Sequence, residues 1–191
     1  FEMNKSRKAL LIVDVQPTFC DEGQLPVEGG NLVAKSIADL LKGNIDYDLI
    51  ISTQDWHIDP GGHFSENPDY LDSWPVHGVA DTPEADLHPE IESIKEKIDI
   101  SVKKGMYEAS YSGFEGVDEG GNSLNEILAK AKISEIDMVG LAFDYCVKAT
   151  ALDAVKNGYK TTVIQSLTAP VSIETAETAS TELDKAGVEI I

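Results

Sequence analysis

A three-layer α/β/α sandwich built on a six-stranded, mainly parallel sheet is the fold that this sequence predicts, and two observations predict it. Six short apolar runs rich in β-branched residues recur along the chain, and helical patterns lie between them with no tight hairpin signal. Strands that alternate with helices in this way pair in parallel and are covered on both faces by right-handed crossovers.

The strand candidates are residues 9–13, 48–53, 98–103, 137–142, 161–165 and 188–191. Between the first two, Val33, Ile37, Leu40 and Leu41 fall at i, i+4, i+7 and i+8, which makes an amphipathic helix with Asn31 as its expected cap and Gly43 as its stop. Ser123 and Glu126 have capping-box spacing ahead of Leu124, Ile127, Leu128 and Ala131. Val147, Ala151, Ala154 and Val155 form the next stripe, closed by Asn157 and Gly158, and a further one runs through Ala176, Ala179 and Leu183 to Gly187. The exception to this rhythm is residues 54–89, which hold five of the eight prolines, both tryptophans and all four histidines. A loop that long in a compact domain is usually functional.

A chain of 191 residues is long enough for one substantial core and short for two, so a single domain over 1–191 is expected, with residues 1–6, where Phe1 and Glu2 precede Met3, as a tag remnant and flexible N-terminus. Hydrophobic residues at 42% and charged residues at 26% suit a globular protein. No apolar run has the roughly 20 residues of a membrane span, and the polar N-terminus does not resemble a secretory signal. A cytoplasmic protein without membrane partners is the expectation. A net charge of −19 would repel nucleic-acid phosphates, so nucleic-acid binding is not expected either. With only Cys20 and Cys146, no disulfide framework is implied, and a chemical role for one thiol stays open. The sequence is compatible with a homo-oligomer and does not fix the oligomeric state.

In open parallel sheets ligands bind outside the carboxyl ends of the strands. The first strand runs into Asp14, the second into Asp55 and His57, the third into Lys103, Lys104 and Gly105, and the fourth is followed by Cys146. Asp55 and His57, two apart in extended chain, project to the same side, and His63 and His77 come from the same loop. A carboxylate with three imidazoles suits zinc, iron(II) or manganese(II); the bland alternative is a turn cap among ordinary loop histidines. His88 is read as surface. Asp144 is expected to cap the helix that carries Cys146, so that the thiolate is stabilised at a helix N-terminus; the other reading of Cys146 is a small buried hydrophobe. That bland reading is preferred for Cys20. Asp14, between Val13 and Val15, has an apolar setting that raises a carboxyl pKa unless a cation such as Lys104 stands near.

Taken together, the stretches ALLIVDVQPTFC, STQDWHIDPGGHF, SWPVHG, KKGMYEASYSGFEG and GLAFDYCVKATALDAVKNGY resemble the nicotinamidase (pyrazinamidase) branch of the isochorismatase-like cysteine hydrolases over nearly the whole chain. The resemblance implies a catalytic triad of Asp14, Lys104 and Cys146, with Lys104 rather than Lys103 because it directly precedes the glycine of the KG motif. It implies Asp55, His57, His63 and His77 as ligands of one divalent ion, zinc first, and Phe19 and Trp74 as the aromatic pair around a pyridine ring, with Tyr111 at the pocket. Leu141–Ala142 falls on the family's cis peptide, and the N–H groups of Ala142 and Cys146 fall on its oxyanion hole, with Leu141 and Ala142 also at the substrate. The chain departs from the family at Phe143, at QPTF where QNDF is frequent, and at Gly78 where cysteine is frequent; these departures touch pocket shape and amide preference.

The implied activity is metal-dependent hydrolysis of nicotinamide, and of pyrazinamide, to the acid and ammonia through a Cys146 thioester, in NAD salvage. Two rivals remain. One is a cysteine amidohydrolase of another small amide or a carbamoyl compound, which would have no use for the histidines; the other is a metalloprotein that binds pyridines without turnover.

Overall fold

The structure is a computed structural model that describes residues 6–191. The expected N-terminal remnant, at Phe1 and Glu2, lies outside the described residues. Strands β1 (Lys8–Val13), β2 (Leu49–Asp55), β3 (Ile100–Lys104), β4 (Glu135–Leu141), β5 (Lys160–Ala169) and β6 (Glu189–Ile190) form one sheet in the order β3-β2-β1-β4-β5-β6. Every pairing in it is parallel. The expected strands are all present, and the largest difference is at β5, which continues to Ala169 past a register shift against β4. Its extension carries the exposed Gln165 and Ser166, so no apolar run announced it.

Helices α1 (Gly30–Lys42), α2 (Pro89–Glu92), α3 (Leu124–Lys130), α4 (Lys148–Lys156) and α5 (Ile173–Ala186) make the outer layers. Successive side chains of a strand point to opposite faces, and β1 shows the consequence. Its Leu10 and Ile12 pack with Val33, Ile37 and Leu41 of α1, whereas Leu11 and Val13 pack with Leu124, Ala151 and Leu183 of α3, α4 and α5. The box at Ser123 and Glu126 forms as expected, and Gly187 closes α5 with a φ of 91°. Asn31 is not the cap of α1. Gly29 holds that position with a φ of 87°, and the carboxylate of Asp21 accepts the Gly29 and Asn31 N–H groups at 2.9 and 2.8 Å. The capping group comes from the preceding loop, which pattern within the helix cannot reveal. Among the described residues no helix is long and apolar enough to cross a membrane.

The chain starts at the centre with β1, moves outward through β2 to β3, returns to place β4 on the other side of β1, and moves outward again. Strand order therefore reverses between β1 and β4. Crossovers leave these two strands toward opposite faces, which opens a crevice at their carboxyl ends. Gly140 makes the close approach there: its φ is 118°, and a Cβ would lie 2.1 Å from the Val13 carbonyl oxygen. Gly140→Ala is expected to cost roughly 3 kcal/mol or more, from positive φ and overpacking together, read as a lower denaturation midpoint with an unchanged slope.

Candidate active site

Four strand ends supply the crevice. Asp14 follows β1 directly with a φ of 48°, a region sparsely populated by residues other than glycine. Its N–H donates to the Thr53 carbonyl at 3.1 Å, and its Oδ1 accepts the Thr53 hydroxyl at 2.7 Å. Lys104, the last residue of β3, has 1% of its surface exposed. A lysine stem is long enough to reach past β2, and the ammonium stands 2.9 Å from Asp14 Oδ2 and 2.5 Å from Asp55 Oδ1. It also stands 3.9 Å from Cys146 Sγ. Asp55 ends β2 and pairs in register with Lys104.

Beyond β4 comes the cis Leu141–Ala142 peptide, then a single π-helical turn, Phe143–Val147, and only then α4. Cys146 lies in that turn, buried on the crevice side. Asp144 does not cap the helix that follows it. Its carboxylate accepts the Val171 N–H at 3.0 Å and the Thr175 hydroxyl, tying the π turn to the start of α5. The surroundings of the thiol work against the expected stabilised thiolate. Burial pushes the Cys146 thiol well above its ordinary value; Lys104 opposes this, and the Asp14 and Asp55 carboxylates add to the rise. One ammonium serves two carboxylates and a sulfur.

The same balance sets the other members. For Asp14, burial outweighs Lys104, and its carboxyl stays above the usual range. For Asp55, burial is overcome by the Lys104 ammonium, which holds it well below that range. For Lys104, burial is overcome by Asp14, Asp55 and Cys146, and the ammonium stays charged.

Three imidazoles meet beside Asp55. His57, His63 and His77 each bring one ring nitrogen into a cluster within 4.8 Å. Their Nδ1 atoms lie 2.6, 2.9 and 2.8 Å from the carbonyl oxygens of Gly105, Asp72 and Pro75. A carbonyl only accepts, so each Nδ1 carries the proton and each Nε2 keeps a lone pair. The His57 Nε2 is buried without a partner. Asp55 Oδ2 faces the Nε2 atoms of His57 and His77 at 3.4 and 3.7 Å. Lone pairs and a carboxylate oxygen converging in a buried space repel one another unless a cation lies among them, and backbone acceptors behind each ring are the usual outer support of a metal ligand. The residues therefore fit a divalent ion. Asp55 stands at the margin of the three-histidine cluster, shared with Lys104. Gly105 makes this junction: at a φ of 74° it turns the chain after Lys104 so closely that a Cβ would lie 2.6 Å from His57 Cε1.

A cleft of about 510 Å³, counting its open mouth, joins thiol and histidines. All five expected substrate-binding residues, Phe19, Trp74, Tyr111, Leu141 and Ala142, line it. Trp74 is fixed by its indole N–H, which donates to Tyr111 Oη at 3.0 Å, and that hydroxyl donates to the Leu71 carbonyl at 2.7 Å. Sequence reasoning missed Tyr145, Leu25 and Val171, which also line the cleft. Tyr145 meets Trp74 edge to face at 5.6 Å, and its place beside Cys146 was the one available signal. Cys20 stands apart as expected, buried, with burial and nearby carboxylates pushing its thiol up to about 12. His88, read as surface, also stands apart but is half-buried, where it caps α2 by accepting the Glu90 N–H.

A family model described as the isochorismatase domain matches residues 8–191, and the chain belongs to that family. Within it, the chain is 48% identical to the nicotinamidase/pyrazinamidase of Mycobacterium tuberculosis over 184 residues, 96% of this chain and 98% of that protein. The yeast nicotinamidase bound to the inhibitor nicotinaldehyde superposes with a TM-score of 0.80 at 30% identity, covering 96% of this chain and 99% of that one. The pyrazinamidase of Pyrococcus horikoshii in complex with zinc gives a TM-score of 0.75 at 30% identity, covering 97% and 98%.

Proposed function

We propose that the protein is a nicotinamidase, hydrolysing nicotinamide, and pyrazinamide with it, to the carboxylic acid and ammonia, and acting as a single domain. The observation that carries the reading is the buried ammonium of Lys104 within reach of Asp14, Asp55 and Cys146, beside a cleft lined by Cys146, His63 and His77. Relatives that act on nicotinamide and pyrazinamide support the substrate class.

The pyridine ring enters between Phe19 and Trp74 and presents its carboxamide to Cys146, which fixes the reacting carbon near the sulfur. Asp14, a stronger base than an exposed carboxylate, takes the thiol proton as sulfur adds to the carbonyl carbon. This suits a thiol held protonated at rest. Lys104 stays charged and offsets the negative charge that the proton transfer leaves. The N–H groups of Ala142 and Cys146 receive the oxyanion. Asp14 returns the proton to nitrogen, the C–N bond breaks, and ammonia leaves a Cys146 thioester. A water then gives a proton to Asp14 as its oxygen adds to the thioester carbonyl carbon; the C–S bond breaks, Asp14 returns the proton to the Cys146 sulfur, and the acid leaves. His57, His63 and His77, with Asp55 as fourth ligand, would hold one divalent ion, zinc first with iron(II) and manganese(II) as alternatives, and when bound it would supply Lewis acidity toward the ring nitrogen. The reading places the protein in the cytoplasm, recovering nicotinamide for NAD synthesis.

Ammonia release from nicotinamide, pyrazinamide, benzamide and a ureido compound, before and after chelation, tests this. Expected is fast release from the first two, at least tenfold slower release from benzamide, and loss on chelation that zinc reverses. Preference for the ureido compound, or binding of nicotinamide without ammonia release, contradicts the reading.

A further inference from the structure

Asp69 lies in the loop between His63 and Trp74, exposed to solvent and outside the cleft. Its Oδ1 accepts four donors: the N–H groups of Leu71, Asp72 and Ser73 at 2.8, 3.0 and 2.9 Å and the Ser73 hydroxyl at 3.0 Å. The Tyr70 N–H donates to the Ser73 carbonyl at 3.0 Å, with Tyr70 at a φ of 57°. Such a turn winds the backbone N–H groups inward around one oxygen and leaves the carbonyls of the same residues available elsewhere. Two of those carbonyls reach the site. Leu71 O accepts the Tyr111 hydroxyl, which in turn accepts the Trp74 indole N–H. Asp72 O accepts His63 Nδ1. Trp74 follows the turn directly, and its N–H donates to the His63 carbonyl at 2.8 Å.

We infer that Asp69 is a positioning residue for both halves of the site: its carboxylate shapes the turn whose carbonyls set the ring orientation of His63 and the Tyr111–Trp74 wall. The inference rests on the proposed metal and ring-binding roles of those residues. The core has no part in it, because Asp69 is exposed and the atoms that it orders are backbone of a surface turn. Loss of Asp69 therefore separates site geometry from global stability. An asparagine offers the same Oδ1 acceptor without the charge, so the geometry requires Asp69→Asn to behave almost like the parent.

The test compares the full-length parent, Asp69→Ala and Asp69→Asn by three readouts: zinc affinity of the metal-free proteins against a chromophoric chelator, KM and kcat for nicotinamide, and the thermal midpoint. Removal of an outer-shell support typically weakens metal affinity by about 10- to 100-fold. Expected for Asp69→Ala is zinc binding weaker by roughly that factor and a KM raised several-fold at saturating zinc, with a thermal midpoint near that of the metal-free parent. Asp69→Asn should recover both properties. Parental zinc affinity and KM in Asp69→Ala, or a loss that tracks only a lowered midpoint, overturns the inference. A parent that binds no zinc overturns the metal reading itself, and the KM comparison then decides the part that concerns Trp74 and Tyr111.

Discussion

Cys146→Ala is expected to reduce ammonia release from nicotinamide by roughly 10⁴-fold or more, because removal of a nucleophile abolishes the covalent route instead of weakening it. Fold and metal content should survive. The side chain lost is one sulfur at the wall of a cleft, 8% exposed, and its removal costs about 1 kcal/mol of burial. His57, His63 and His77 keep their backbone acceptors in the variant, since none of the three carbonyls belongs to the turn that holds Cys146. Ammonia assays beside a metal analysis check both halves. Undiminished turnover would reject Cys146 as the nucleophile, whereas lost metal would mean that the two halves are not independent.

Lys104→Met is expected to destroy activity and much of the stability together. The ammonium is fully enclosed and contacts both Asp14 and Asp55. Its removal leaves two buried carboxylates facing each other, and breaking a buried pair from one side costs roughly 3–5 kcal/mol. The pH dependence has a definite sign. In the parent the depressed Asp55 contributes stability above its unfolded pKa, and that contribution is lost as pH falls through its folded value. In the variant the carboxylates lose their cation, their folded pKa values lie above the unfolded ones, and protonation relieves the repulsion. The deficit should be largest near neutrality and shrink on acidification. Denaturant unfolding at neutral and mildly acidic pH measures it, and a deficit that grows toward acid would contradict this charge arrangement.

How far the sequence alone reaches can be judged from particular residues. Asp14, Asp55 and the Lys103–Lys104 pair were legible at the ends of apolar runs, where a parallel sheet delivers its side chains to one rim, whereas the choice of Lys104 over Lys103 and the role of Cys146 came from the family resemblance. The three histidines were legible through their concentration in one long loop. Three features were not. Asp21 caps α1 from the preceding loop, where Asn31 was expected, and Asp144 serves α5 instead of the helix beside it; both partners are set by tertiary packing. The π turn around Cys146 carries the same apolar spacing as an α-helix. The protonation balance depends on how many carboxylates crowd one ammonium in a dry crevice, which follows from distances that no spacing encodes. The place of Cys146 beside the crevice follows from the end of β4, whereas the carboxylates that oppose its ionisation come from other strands.

The central claim is that Cys146 sulfur adds to a carbonyl carbon carried on a pyridine ring. Nicotinaldehyde labelled with ¹³C at its carbonyl tests it directly by NMR. On the parent the carbonyl resonance should move from the aldehyde to the thiohemiacetal region, and on Cys146→Ala it should stay in the aldehyde region. An unshifted resonance with the parent at saturation, or the same shift with the alanine variant, would contradict the account.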